Sequence, residues 1–305
     1  MLQIAIIGVP FDGYGRAANQ TLAAQAIRDA GISAAWAPLE VVTDEDILLP
    51  AQSPERGTDT TLVNESALIA MTRDLTVRVA GAAASEAFPC VIGGDCSSLL
   101  GIMAGAVQTA DRVGLLVLDG HEDTMPLDVS EDGEAANTEI GLLLGLTGKT
   151  LRGPLAALVP TVAPGSLAIL GPRDDAWRRR FNVASAAGLG AYVRDATAVA
   201  SQPGQVAREA AEFVTRSNQR WWMHVDLDVL DPEHFPAQGV PDVPDEPGGL
   251  SPDQLSAVMA SAARHPGLIG ISLVIYDPAQ DADGACARTI IRLVQDLAQV
   301  LAGSR

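Results

Sequence analysis

At 305 residues with 48 % apolar content, the chain can build a large core, in one α/β domain or two smaller ones. Its formal charge of −18, with no Lys/Arg cluster, argues against a nucleic acid or an anionic membrane surface as partner. No apolar run reaches the roughly 18–20 residues that span a bilayer, and residues 1–4 enter a strand without a basic leader, so a cytoplasmic protein is expected. Cys90, Cys96 and Cys286 make neither a disulfide framework nor a C-x-x-C site, which suits a reducing compartment.

Residues 2–10 (L-Q-I-A-I-I-G-V-P) form an apolar run closed by Gly and Pro, the pattern of a strand buried on both faces. The glycine-rich loop 11–16 lacks the G-x-G-x-x-G spacing of a dinucleotide site. Helical spacing over 17–30 stops at Gly31, and residues 34–42 read as a second strand. Residues 44–59 are polar and twice interrupted by proline, a candidate lid. Asn64 is expected to cap a helix to about residue 87, and a strand over 88–92 ends in Gly93-Gly94-Asp95-Cys96-Ser97-Ser98. Ser97 or Ser98 is the expected cap of a helix to about residue 110.

A strand over 113–118 follows, then a helix over about 134–148. Beyond the connector 154–164 the pattern predicts a strand over 166–170, a helix over 177–187, a strand over 191–194 and a helix over 205–217. The strand from Trp221 ends in carboxylates, and residues 236–249 are a loop rich in Pro, Gly and Asp. Ser251 caps a helix with Pro252 in its first turn, a strand spans 268–276, and a last helix spans 284–301. Strand and helix alternate without a linker. Residues 1–305 are therefore read as a single three-layer α/β/α domain around a mostly parallel sheet of roughly eight strands.

Two strands carry the chemistry. The run 113–118 ends in Asp119-Gly120-His121-Glu122-Asp123, and the run from Trp221 ends in His224-Val225-Asp226-Leu227-Asp228. Ligands bind at the carboxyl edge of such sheets. If the chain stays extended, Asp119, His121 and Asp123 share one side, as do Asp226 and Asp228. Four aspartates and one imidazole form a hard donor set suited to manganese, and bridging carboxylates can hold two ions about 3.5–4 Å apart. The bland reading, carboxylates that cap nearby helices, leaves clustered negative charge without a cation.

The motifs I-I-G-V-P-F-D (6–12), G-G-D-C-S (93–97), D-G-H-E-D (119–123), H-V-D-L-D-V-L-D-P (224–232), P-A-Q-G-V-P and G-G-L-S (248–251) occur in this order. In that set the chain resembles the ureohydrolase (arginase/agmatinase/formimidoylglutamase) family over nearly its whole length. The resemblance implies an arginase-like fold, a trimer or hexamer, and one or two Mn2+ ions. It implies that Asp119 and Asp226 bridge the ions, that Asp123 completes one site, and that His121 with Asp228 completes the other. It also places Ile275, Val240 and Asn137 in the substrate pocket, with Asp95 bracing the site from behind.

Three departures from the family pattern bear on function. Cys96 stands where the family has a histidine ligand; a thiolate is softer, so Zn2+ or Fe2+ enters consideration. Ile275 stands where arginine- and agmatine-cleaving members hold the guanidinium with a glutamate, and an isoleucine cannot pair with a cation. The shuttle histidine expected after D-x-H-x-D is absent, and Glu134 is the nearest acid/base group. These residues point to a hydrolase that cleaves a C–N bond in an amidine, modified guanidine or amide, with Glu134 and Asp119 in catalysis. The alternative is a relative without turnover that serves as a binding or regulatory subunit. Cys96 also reads as a buried packing residue, Glu134 as a first-turn glutamate, and His224 as structural, since its parity is opposite to that of the aspartates.

Overall fold

The computed structural model describes residues 2–110, 112–146, 151–160, 162–238 and 248–303. Eight strands form one sheet: β1 (Gln3–Gly8), β2 (Glu40–Asp46), β3 (Ala87–Ile92), β4 (Gly114–Leu118), β5 (Leu167–Leu170), β6 (Tyr192–Arg194), β7 (Trp221–Asp226) and β8 (Leu268–Val274). Their order is β2-β1-β3-β8-β7-β4-β5-β6, and each neighbouring pair is parallel. All carboxyl ends therefore lie along one edge.

The apolar runs build two cores, one on each face. Along β4, Leu116 and Leu118 join one core while Leu115 and Val117 join the other; along β7, Trp221, Met223 and Val225 oppose Trp222. The first core is closed by the helices Pro203–Thr215, Pro252–Ala263 and Ala285–Gly303, the second by Glu65–Ala84 and Ser98–Ala106. Each such side chain contributes about 1.5–3 kcal/mol on burial, so the central strands are the rigid base on which the site stands.

Several expected elements differ. The strand expected over 34–42 is displaced: Ile32–Ala35 is a short helix, and the strand runs from Glu40 to Asp46, overlapping the expected range only at 40–42. That strand is an exposed, acidic edge held by Arg28 through Asp44 at 2.5 Å and Asp46 at 2.6 Å, so it lacks the apolar signature of a buried strand. The expected helix over 134–148 is a 3-10 turn, Ala135–Asn137, and a short helix, Glu139–Leu143. The helix Asp175–Phe181 stops at Asn182, which takes the left-handed conformation, and a 3-10 turn at Ala186–Leu189 replaces its predicted second half.

Asn64 precedes its helix without capping it, because its Oδ1 accepts the Ser53 amide while its Nδ2 donates to the Asp12 carbonyl and to Gln52, bracing the loop after β1. Nor does Ser97 cap the next helix, since its amide and hydroxyl both donate to Asp95 Oδ1. Ser251 does cap: it forms a reciprocal capping box with Gln254, with Pro252 in the first turn. No described helix is long and apolar enough to cross a membrane.

Candidate metal centre

The site lies over the four adjacent strands β3, β8, β7 and β4. After β3, Gly93 and Gly94 take positive φ values of 83° and 71°; a Cβ on either would come within 2.9 Å of Ala24 or Val9. This turn brings Cys96 to Asp226, with Sγ 2.6 Å from Oδ2. Cys96 is buried against Val274, Ile275 and Ala136, and burial, with Asp226 and Asp119 nearby, pushes its thiol pKa well up.

The chain does not stay extended beyond β4 or β7. The Asp119 carboxylate accepts the His121 amide at 2.6 Å, and Asp226 accepts the Asp228 amide at 2.7 Å, which folds both strand ends into tight turns. Asp123 adopts a φ of +44°. Convergence arises from these turns rather than from strand parity.

Two groups of ligand atoms result, each with its members within 4.8 Å of one another: Cys96, Asp119, Asp123 and Glu139 in one, Asp119, His121 and Asp228 in the other. Asp119 belongs to both. Asp226 reaches the first through Cys96 and the second through the Asp228 amide. In the second group, His121 Nδ1 lies 2.9 Å from Asp228 Oδ2.

The donor set fits divalent ions. Asp119 Oδ2 and both carboxylate oxygens of Glu139 are buried without a hydrogen-bond partner. Burial, reinforced by neighbouring carboxylates, raises the pKa of Asp119, Asp123, Asp226 and Glu139. Burial alone would lower the pKa of His121, but Asp228 and Asp119 outweigh it and raise the value to about 10. Asp228 is correspondingly held below the usual carboxylate range, His121 overcoming the effect of burial. The cluster thus draws positive charge inward, the property of a cation site.

A cavity of about 370 Å3 opens onto His121, Asp123, Asp226 and Asp228, and Glu134, Asn137 and Ile275 line it. Glu134 is half-buried against the Tyr14 hydroxyl, and burial, with Asp95 and Asp132 nearby, raises its pKa to about 8. Asn137 donates to Asp132 at 2.7 Å, while Ile275 holds a φ of +60° and donates its amide to the Gly94 carbonyl. Asp95 lies beneath, bound to Ser97, with a pKa raised by burial to about 6. Val240 falls outside the described residues. His224 is fully buried and pairs with Ser272 at 2.7 Å; burial lowers its pKa to about 3, so it is neutral and structural.

Sequence reasoning missed Glu139, whose signal was a lone carboxylate heading the apolar run E-I-G-L-L-L. It also missed Tyr14 and the buried Arg178, which lines the cavity with Asp174 and binds Glu122 at 2.7 Å and Asp174 at 3.0 Å.

The sequence model of the Arginase family matches residues 2–299. An arginase from Agrobacterium fabrum is 29 % identical over 309 residues, covering 98 % of this chain and 90 % of that protein. Among solved structures, the arginase of Bacillus caldovelox superposes with a TM-score of 0.83 at 23 % identity, covering 98 % of each chain. The formimidoylglutamase of Bacillus subtilis superposes at 0.75 with 20 % identity, covering 100 % of this chain and 88 % of its own.

Proposed function

Because the chain belongs to the Arginase family, we propose that it is a metal-dependent hydrolase cleaving a C–N bond in an amidine, modified guanidine or amide-type small molecule. The observation that carries this reading is the pair of ligand groups that share the buried Asp119 and open onto a cavity through Asp123, His121 and Asp228. Asp119, Asp226, Asp123, His121 and Asp228 would hold Mn2+ there. When bound, such ions supply the Lewis acidity that makes water a nucleophile near neutral pH.

This chain's own residues do the rest. Glu134, with a pKa of about 8, holds a proton at neutral pH and can pass it to the departing nitrogen as the C–N bond breaks. The Tyr14 hydroxyl fixes its carboxylate by a hydrogen bond. Ile275 puts an apolar wall beside Cys96 and Ala136, which disfavours an unmodified guanidinium at that end of the cavity. Asn137 offers an amide for orientation. Residues 1–305 act in this reading as one domain, within a cytoplasmic homo-oligomer, trimer or hexamer, that sedimentation would size.

The test is metal analysis of protein purified without chelator, followed by ammonia, urea or formamide release from a panel of amidines, N-hydroxyguanidines and formimino compounds. Tightly held metal is expected, and Asp119→Ala should abolish both binding and turnover. Less than about a tenth of an equivalent of metal per chain in the wild type sinks the proposal.

A further inference from the structure

Glu139 has no place in the ligand set inferred from the motifs, yet it is the most anomalous side chain at the site. It is fully buried, and neither of its carboxylate oxygens has a hydrogen-bond partner. Its carboxylate lies within 4.8 Å of ligand atoms from Cys96, Asp119 and Asp123. The backbone holds it there: the Gly141 amide donates to the Asp123 carbonyl at 3.0 Å, pinning the first turn of the helix Glu139–Leu143 to the strand-end loop. A buried carboxylate aimed at two others is tolerable only with a proton or a cation between them, and the ligand atoms converging around it supply the geometry for a cation.

Cys96 is differently disposed. Its side chain belongs to an apolar cluster with Val274 and Ile275, and its Sγ donates to Asp226 Oδ2 at 2.6 Å. A thiol in that role orients an aspartate rather than replacing an imidazole ligand.

We propose that Glu139 is a metal ligand, supplying at the first site the donor that Cys96 does not, so that this ion is held by the oxygens of Asp119, Asp123, Asp226 and Glu139. The assignment rests on the metallohydrolase reading above. It makes the first site an all-oxygen one, selective for hard ions such as Mn2+, and removes the preference for Zn2+ or Fe2+ that a thiolate would confer.

Mn2+ titration followed by electron paramagnetic resonance, with metal analysis after gel filtration, tests it on the full chain. Wild type should take up two equivalents. Glu139→Gln, close to isosteric, should lose one equivalent or bind it at least tenfold more weakly. Glu139→Asp, which keeps the charge and shortens the reach, should fall between, provided circular dichroism shows both variants folded. Cys96→Ser should keep both equivalents within about threefold in affinity, and Co2+-loaded wild type should show no sulfur-to-metal charge-transfer absorption. Unchanged binding in Glu139→Gln beside a wild type that binds two ions overturns the role of Glu139 alone. A strong sulfur-to-cobalt band, or loss of one ion in Cys96→Ser, overturns the all-oxygen site. A wild type that takes up no Mn2+ removes the parent reading as well.

Discussion

Replacing Glu134 by Gln should make the protein more stable at pH 8 and leave it unchanged near pH 4.5. The folded chain raises the carboxyl pKa from 4.5 to about 8, chiefly by burial, so it holds that proton more tightly than the unfolded chain does. The stability linked to this group is therefore fully present below pH 4.5 and is lost as pH rises through 8. At 1.36 kcal/mol per pKa unit the ceiling is about 5 kcal/mol. The side chain is only half-buried and water screens it, so about 2–3 kcal/mol is expected at pH 8. The substituted amide carries no charge at any pH and still accepts the Tyr14 hydroxyl. Urea unfolding of both proteins at pH 5, 6.5 and 8, at equal protomer and metal concentration, reads the difference. Turnover should meanwhile fall by about 10²–10⁴ as the proton donor is lost. A stability difference that is flat with pH, or a Glu134→Gln variant less stable at pH 8, refutes the buried-acid account of Glu134.

Three further outcomes follow from the packing around the site. Arg178→Met strands Glu122 and Asp174 without their cation and should cost about 3–5 kcal/mol in denaturant unfolding at pH 7. That deficit should shrink as pH falls, because burial holds the Glu122 carboxyl above its ordinary value and a proton can replace the lost cation there; a loss under about 1 kcal/mol would mean solvent already screens the pair. Gly171 has a φ of +108°, and a Cβ there would come within 2.4 Å of Val229 and 2.9 Å of the Asp119 carbonyl, so Gly171→Ala should cost about 2–3 kcal/mol and lower metal occupancy. Metal analysis and calorimetry on one sample check both effects. Chelator-stripped protein should melt about 8 °C lower than protein at a thousandfold excess of Mn2+ over Kd, as about 4 kcal/mol of linkage at about 2 °C per kcal/mol implies; coincident melting curves would contradict a folded-state ion.

The parts of the molecule legible in sequence are those with a single physical cause. β3, β4, β5 and β7 are buried along their whole length, so they show as unbroken apolar runs. The Ser251 box is purely local and reads directly. β2 was placed about five residues too early because an edge strand exposed along most of its length obeys its ion pairs with Arg28 rather than a core. Asp119, His121, Asp123, Asp226 and Asp228 were found at strand ends, but period-two reasoning misjudged how they converge, since side-chain-to-amide bonds turn the chain first. Glu139 escaped because its partners lie on segments remote in sequence, and a glutamate at a helix start is ordinary until its burial is known.

The strand order β3-β8-β7-β4 also governs when an ion can be captured. The two outer strands of this central quartet are synthesised first, and the two that fill the gap between them are synthesised last. A nascent chain that ends before Trp221 carries two unpaired strand edges facing an absent centre, and Asp119 has neither Asp226 nor Asp228 to share a cation with. Such edges invite association between incomplete chains. In the metallohydrolase reading, metal uptake would belong to the closing event of folding, made slow by the length of chain that must return to the middle of the sheet. In that reading, metal supply would act on whether that last insertion holds, rather than on how the chain begins to fold.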